Sequence, residues 1–386
     1  MTLFAAASVL IFILTVLAIE RIAVKRSVDS INIRILVNGT RGKSTVTRYI
    51  AAAMREAGHF AFAKVTGTVP ELILPDGSGR ELKRRGAARV QEQFGVIRRA
   101  ASGGADSLVL ECMSISPELQ QLESRFYNPG VYVITNIRDD HRESMGSSPD
   151  EQAEGMISAI PPGSTVVTAS GKYTNKIRDA ANKRGCRVII SGEGDPDGIK
   201  RELPDHLIRE NVELACRAAE VAGVDLNKAL GSILGYAGED DNKLIRMENE
   251  KGSFCFVDGF SVNDVESAEI FVTYWSDRLS LKGGFSVVLN TRADRPTRSI
   301  SFAEWLAGNG RISGVAVTGS HAPAARRALK KAGFPGEHIS IWKKRDITRA
   351  VALVPALCGK DSVVFGFGNI RGAGFDIPEI LRNEFC

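Results

Sequence analysis

The chain opens on a long apolar run. Leu3 to Ile19 carries no charge, and Arg21, Lys25 and Arg26 follow the run while no basic residue precedes it. As a helix those roughly 17 residues extend about 26 Å, the short end of a bilayer span. Positive charge on the trailing side predicts an uncleaved anchor over residues 1–26, single-pass in the cell (inner) membrane, with the rest of the chain in the cytoplasm. The competing reading is a cleaved signal peptide, for which Val16-Leu17-Ala18 is a weak cleavage site. Such a peptide carries its charge ahead of the apolar run.

From Ile31 the pattern changes. Short runs rich in Ile, Val and Leu alternate with amphipathic stretches. Ile31–Val37, Ser107–Glu111, Val131–Thr135, Thr165–Thr168 and Arg187–Ile190 read as buried strands, with helices over Ser44–Ala57 and Gly86–Ala101. Continuous apolar runs of this length belong to parallel strands covered on both faces. A second alternating block starts near Gly252. Its strands are expected at Phe254–Asp258, Phe285–Leu289, Val315–Thr318, Ile339–Trp342 and Ser362–Phe365. Its helices are expected at Val265–Trp275, Phe302–Ala307, Ala322–Lys331 and Asp346–Leu357. Glu239–Glu250 is polar and charge-rich, shows no strand pattern, and is read as the linker. The expectation is an α/β protein: an anchor at 1–26, a phosphate-loop domain with a mostly parallel sheet at 27–245, and a smaller Rossmann-like domain at 246–386.

Composition narrows the function classes. The 386 residues are 44% hydrophobic and 25% charged, which excludes a disordered chain, a coiled coil and a multi-span membrane protein. A net charge of +5 suits anionic small substrates and makes no case for nucleic acid. The six cysteines form no C-x-x-C pair, so neither a zinc site nor a disulfide framework is indicated. Lys83-Arg84-Arg85 and Arg98-Arg99 read as solvated helix faces. Gly366-x-Gly368 follows a strand, but Gly372 misses the dinucleotide spacing.

The strongest chemical signal is Gly39-Thr40-Arg41-Gly42-Lys43-Ser44, between a strand and a helix. Glycines let the backbone approach phosphate, and the N–H groups of the helix start face the anion. Lys43 would bridge the β- and γ-phosphates and the Ser44 hydroxyl would hold Mg²⁺. The general Walker pattern needs glycine at position 37, where this chain has valine; the shorter form G-T-x-G-K-[ST] is complete.

That short form resembles the Mur ligases and folylpolyglutamate synthases, ATP-dependent amide-forming enzymes. Glu111-Cys112-Met113-Ser114 is similar to the family's acidic metal-binding turn, and Thr135-Asn136 through Asp140-His141 to its T-N-x-x-x-D-H stretch. Asn211 opens a helix as the family's adenine-side asparagine does. Asp258-Gly259-Phe260-Ser261 is similar to the turn that begins its C-terminal domain, with Asn263 just beyond. The anchor, the absence of the extra N-terminal domain of the Mur ligases, Leu289-Asn290-Thr291-Arg292-Ala293-Asp294-Arg295-Pro296 and Phe365-Gly366-Phe367-Gly368-Asn369 resemble one branch, the poly-γ-glutamate synthase ligase subunits of bacterial capsule systems.

The resemblance implies ATP and Mg²⁺ as cofactors, and glutamate polymerised through γ-amide bonds by way of a γ-glutamyl phosphate. It implies Lys43, Glu111 and His141 as catalytic residues, and Ser44, Glu111 and His141 as metal ligands. Nucleotide contacts would come from Asn38 through Thr45, Asn211, Asp258 and Arg292. Expected partners are glutamate and the polyglutamate chain and other membrane subunits of a synthesis and export complex, with a homo-oligomer left open. Lys172 and Lys176 lie where the family's carbamylated lysine falls, and no pattern selects either. Two other readings stay open: a Mur- or folylpolyglutamate-type ligase using a different amino acid or acceptor, and a non-catalytic nucleotide-binding subunit. Intact Lys43, Ser44 and Glu111 argue against the latter.

Overall fold

A computed structural model describes residues 2–66, 70–84, 89–137, 148–192, 203, 209–238, 243–249, 252–262, 265–358 and 363–385. The chain divides into two compact units, one of residues 1–203 and 207–237, the other of 204–206 and 238–386.

The first unit begins with helix α1 (Thr2–Asp29), longer than the anchor expected from the apolar run. No proline or glycine interrupts residues 20–29, so nothing stops the helix at the last apolar residue. Residues 7–29 are long and apolar enough to cross a bilayer, with mean hydropathy 2.3 over the best window. Phe12 and Ile13 are exposed, whereas Val24 and Val28 are buried in the core of the unit together with Ile31. The apolar helix therefore runs directly into the domain without a flexible joint.

The unit's sheet is formed by β1 (Ile33–Asn38), β2 (Ala61–Val65), β3 (Glu71–Ile73), β4 (Gly79–Glu81), β5 (Ser107–Glu111), β6 (Val131–Ile134), β7 (Thr165–Ala169) and β8 (Arg187–Ser191). Their order is β4-β3-β2-β5-β1-β6-β7-β8, parallel except for β3 and β4 at one edge. The helices are α2 (Lys43–Glu56), α3 (Gln91–Ser102), α4 (Pro117–Tyr127), α5 (Pro149–Ser158), α6 (Thr174–Asn182), α7 (Arg209–Val221) and α8 (Leu226–Gly238). Ile35, Val37, Val109 and Val133 pack on one face under α2, α7 and α8. Leu36, Leu108, Leu110 and Ile134 pack on the other with Val96, Tyr127 and Ile157 of α3, α4 and α5. Burial on both faces is why these strands read as unbroken apolar runs. The edge hairpin β3–β4 is only three residues a strand, with β4 polar and exposed, and carries no such signal.

The second unit has the sheet order β13-β12-β11-β14-β10-β9, built from β9 (Leu244–Asn249), β10 (Gly252–Asp258), β11 (Phe285–Thr291), β12 (Ile312–Gly319), β13 (Ile339–Ile341) and β14 (Val363–Phe367). Its helices include α9 (Val265–Arg278), α10 (Pro296–Gly308), α11 (Ala322–Lys331), α12 (Lys344–Ile347), α13 (Ala350–Cys358) and α14 (Ala373–Phe385). Strand β9 corrects the linker reading of 239–250. It pairs antiparallel with β10, burying Ile245 and Met247 while Arg246 points outward. A two-residue apolar alternation among charges was too short to stand out. Helix α10 begins at Pro296, ahead of the expected Phe302, because proline suits a first helical turn.

Candidate active site

The site candidates of the first unit gather at the carboxyl ends of three adjacent strands, β5, β1 and β6. Strand order reverses around β1, and in open α/β sheets the ligand crevice lies at such a point. The loop after β1 spans Gly39–Gly42 and delivers its backbone into α2. Gly42, the residue before α2, is left-handed at φ 77°, and Gly39 has φ 131°. Gly39 also passes very close to β6: a Cβ there would lie 2.1 Å from Thr135 Oγ1. Gly39→Ala is therefore expected to displace the loop and weaken ADP binding by at least about tenfold, as measured with a fluorescent ADP analogue.

Thr135 and Asn136 strap the loop down. The Thr40 N–H donates to the Asn136 carbonyl at 2.9 Å, and the Arg41 N–H donates to Asn136 Oδ1 at 3.1 Å. Thr135 Oγ1 and Asn136 Nδ2 both donate to the Arg41 carbonyl, at 2.6 and 3.2 Å. Lys43 Nζ donates to the Gly39 and Thr40 carbonyls at 2.6 and 3.3 Å, so its ammonium sits over the loop.

Glu111 ends β5 and is 4% exposed. Its Oε2 accepts from Ser44 Oγ at 2.8 Å and from the Thr66 N–H at 2.7 Å. A carboxylate and a hydroxyl this close, beside the Gly39–Gly42 loop, supply hard oxygen donors of the kind Mg²⁺ takes up. Among the described residues no group of three His, Cys, Asp or Glu could hold a metal unaided. His141 lies outside the described residues.

Asn38 is buried, and its side chain is turned into the domain. Nδ2 donates to Gln120 Oε1 and to the Tyr132 hydroxyl, both at 2.8 Å, while Oδ1 accepts from the Gly39 N–H. The Asn38 side chain thus holds the first N–H of the loop from within the domain. Thr45 lies half-buried in the first turn of α2. Asn211, 3% exposed near the start of α7, faces Gly42 so closely that a Cβ there would meet its Oδ1 at 2.6 Å. Lys172 and Lys176 are more than half exposed and both lie near Asp150.

In the second unit, Asp258 ends β10 and accepts from the Phe260 N–H and from Arg382. Burial pushes its carboxyl above the ordinary aspartate value, with these two donors opposing. Arg292 forms a two-point pair with Asp294. Behind it, Asn290 Nδ2 donates to the Asn369 and Arg371 carbonyls, and Asn369 Nδ2 donates to the Asn290 carbonyl. Gly368 allows this closeness: its φ is 102°, and a Cβ would lie 2.3 Å from the Asn290 carbonyl. Asn263 lies outside the described residues.

A group absent from the sequence reading stands behind Glu111. Lys64, Gln93 and Glu123 are each fully buried and hydrogen-bonded to one another in series. The visible signal was the charge inside the apolar run Ala61-Phe62-Ala63-Lys64-Val65, since a buried lysine requires partners. Burial pulls the Lys64 ammonium below the ordinary lysine value, and Glu92, 2.6 Å away, opposes that.

With the geometry in place, comparison with known proteins defines the class. Residues 37–220 match the Mur ligase middle domain. The fold is shared with Escherichia coli FolC in complex with ADP, at a TM-score of 0.70 and 16% identity over 95% of this chain and 94% of that one. MurF from Acinetobacter baumannii gives 0.64 and 14% over 92% and 78%. The protein is an ATP-dependent amide ligase, similar over its middle part to the Mur ligases.

Residues 244–384 match a second family model, the poly-gamma-glutamate synthase CapB C-terminal domain. The chain is 28% identical to the capsule biosynthesis protein CapB of Bacillus anthracis, over 93% of its own length and 78% of that protein's. It is 26% identical to the PGA synthase CapB of Bacillus subtilis strain 168, over 96% and 95%.

Proposed function

We propose that this chain polymerises glutamate through γ-amide bonds at a membrane, activating each γ-carboxylate as an acyl phosphate. The observation that carries the reading is the Ser44–Glu111 pair beside the strapped Gly39–Ser44 loop, in a chain similar along nearly its whole length to a PGA synthase. In the first step a γ-carboxylate oxygen attacks the γ-phosphorus of ATP, and the bond to the bridging oxygen breaks to release ADP. In the second, the amine of a glutamate attacks the acyl carbon; phosphate leaves and the amine loses a proton.

The loop N–H groups would hold the β-phosphate, and Lys43 would move from the loop carbonyls to bridge the β- and γ-oxygens. Ser44 and Glu111 would hold the metal. Bound there, Mg²⁺ offsets the charge of the triphosphate and the incoming carboxylate. A solved relative from Yersinia pestis, a bifunctional folylpolyglutamate synthase/dihydrofolate synthase complexed with AMPPNP and Mn ion, supports a nucleotide–metal pair in this fold. Asn211 would contact the nucleotide across Gly42. His141 as second metal ligand, and Asp258 and Arg292 as nucleotide contacts, enter on the resemblance alone.

The anchor reading keeps α1 in the membrane and the catalytic units on the cytoplasmic side. One helix makes no channel, so export of a polymer requires further membrane subunits. The test is incorporation of labelled glutamate by membranes carrying the protein, with ATP and Mg²⁺. The expected product is a polymer that resists α-peptidases and releases glutamate on acid hydrolysis. Release of ADP stimulated by a different amino acid, and not by glutamate, overturns the substrate assignment and leaves a ligase of another specificity.

A further inference from the structure

Glu111 is gripped from two sides. Its carboxylate meets Ser44 and Thr66 on the face of the sheet that carries α2. Its main-chain carbonyl accepts from Gln93 Nε2 at 3.1 Å. The same amide group donates to Glu123 Oε1 at 2.6 Å, while Gln93 Oε1 accepts from Lys64 Nζ at 3.0 Å.

Glu123 in turn collects the turn that follows Glu111. It accepts from the Met113 N–H at 3.3 Å, the Ser114 N–H at 3.1 Å, Ser114 Oγ at 2.6 Å and Cys112 Sγ at 3.6 Å. Lys64 closes the other end on Glu92, which is shared with Arg84. Two cations and two carboxylates thus balance in charge within the domain. Apolar side chains of the same volume would fill this space at no greater cost. What a hydrogen-bonded chain adds is direction: the backbone at residue 111 cannot turn or slide without breaking bonds at both of its faces. A metal ligand needs that, because its oxygen must be held to within about half an ångström.

We propose that Gln93 and Glu123, buttressed by Lys64, are positioning residues that aim Glu111 at the nucleotide-bound metal. The inference rests on the reading of Glu111 as a metal ligand. Side chains behind metal ligands change metal affinity by about 10- to 100-fold when removed.

The test is Mn²⁺ binding, followed by electron paramagnetic resonance, to the full-length detergent-solubilised protein with ADP, beside metal-free ADP affinity and a thermal melt. Gln93→Leu and Glu123→Gln are expected to weaken Mn²⁺ about 10- to 100-fold while leaving metal-free ADP affinity within about twofold, as expected of a contact that does not touch nucleotide. Glu111→Gln is expected to abolish the nucleotide-dependent Mn²⁺ signal. Folded Gln93→Leu and Glu123→Gln proteins that bind Mn²⁺ like the wild type overturn the positioning role and leave the Glu111 reading standing. Unchanged Mn²⁺ binding by Glu111→Gln overturns the Glu111 reading instead. If Gln93→Leu does not fold, the near-isosteric Glu123→Gln decides; if neither folds, the network is a folding element and the proposal falls.

Discussion

Glu111→Gln is expected to reduce glutamate-dependent ADP release by about 10²–10³-fold, about 3–4 kcal/mol of transition-state stabilisation. The substitution keeps shape and leaves a carbonyl oxygen to accept from Ser44 Oγ and the Thr66 N–H, which now meet Oε2. It removes the negative charge, and with it the strongest described donor for a divalent cation at the loop. The loss belongs in kcat, because a metal there would offset the charge that builds on the leaving oxygen and the phosphoryl oxygens as the bond to ADP breaks. A coupled ADP assay over a Mg²⁺ titration checks this. An unchanged Mg²⁺ dependence with near-normal turnover would remove Glu111 from the metal site.

Lys43→Ala is expected to cost a similar factor, about 10²–10³ in the rate of ADP release, by a different route. Lys43 Nζ sits over the loop through the Gly39 and Thr40 carbonyls. From there, on the proposed mechanism, a rotamer change would bring its charge to a bridging position between β- and γ-phosphates. Alanine removes that charge and the loop's internal brace together, so nucleotide affinity should fall as well. Lys43→Arg should not restore turnover, since a planar guanidinium is no substitute for a compact ammonium among loop carbonyls. Labelled-glutamate incorporation and equilibrium ADP binding, measured on the same membranes, separate the two losses. Full polymer synthesis by Lys43→Ala would rule out this loop as the activating site.

Much of this architecture was legible along the chain, and the legible parts share one property: they are contiguous. Gly39–Ser44 could be read because a strand, a glycine turn and a helix start follow one another directly, and the anion-facing N–H groups belong to the same few residues. Glu111 was legible as the polar end of an apolar run. The parallel strands stood out because both their faces are covered, which makes nearly every position apolar.

Other features were hidden. Strand β9 buries Ile245 and Met247 between charged neighbours, so its sequence looks like a charged linker until β10 lies beside it. Asn38 follows its strand as a phosphate contact would, yet its amide is consumed by Gln120, Tyr132 and Gly39. Thr135 and Asn136 were recognisable as a motif, but their work of strapping the loop became visible only with β6 packed beside β1.

By itself, then, the sequence determined the apolar helix, the alternation of strands and helices, and the glycine turn between β1 and α2, because each depends on residues within one or two turns of chain. Only the tertiary structure decided that α1 ends inside the core through Val24 and Val28, that Ser44 meets Glu111 from 67 residues away, and that Lys64, Gln93 and Glu123 stand behind it. Those contacts depend on strand order and on which face each side chain takes, and a buried charge has to find its partner wherever the sheet brings one.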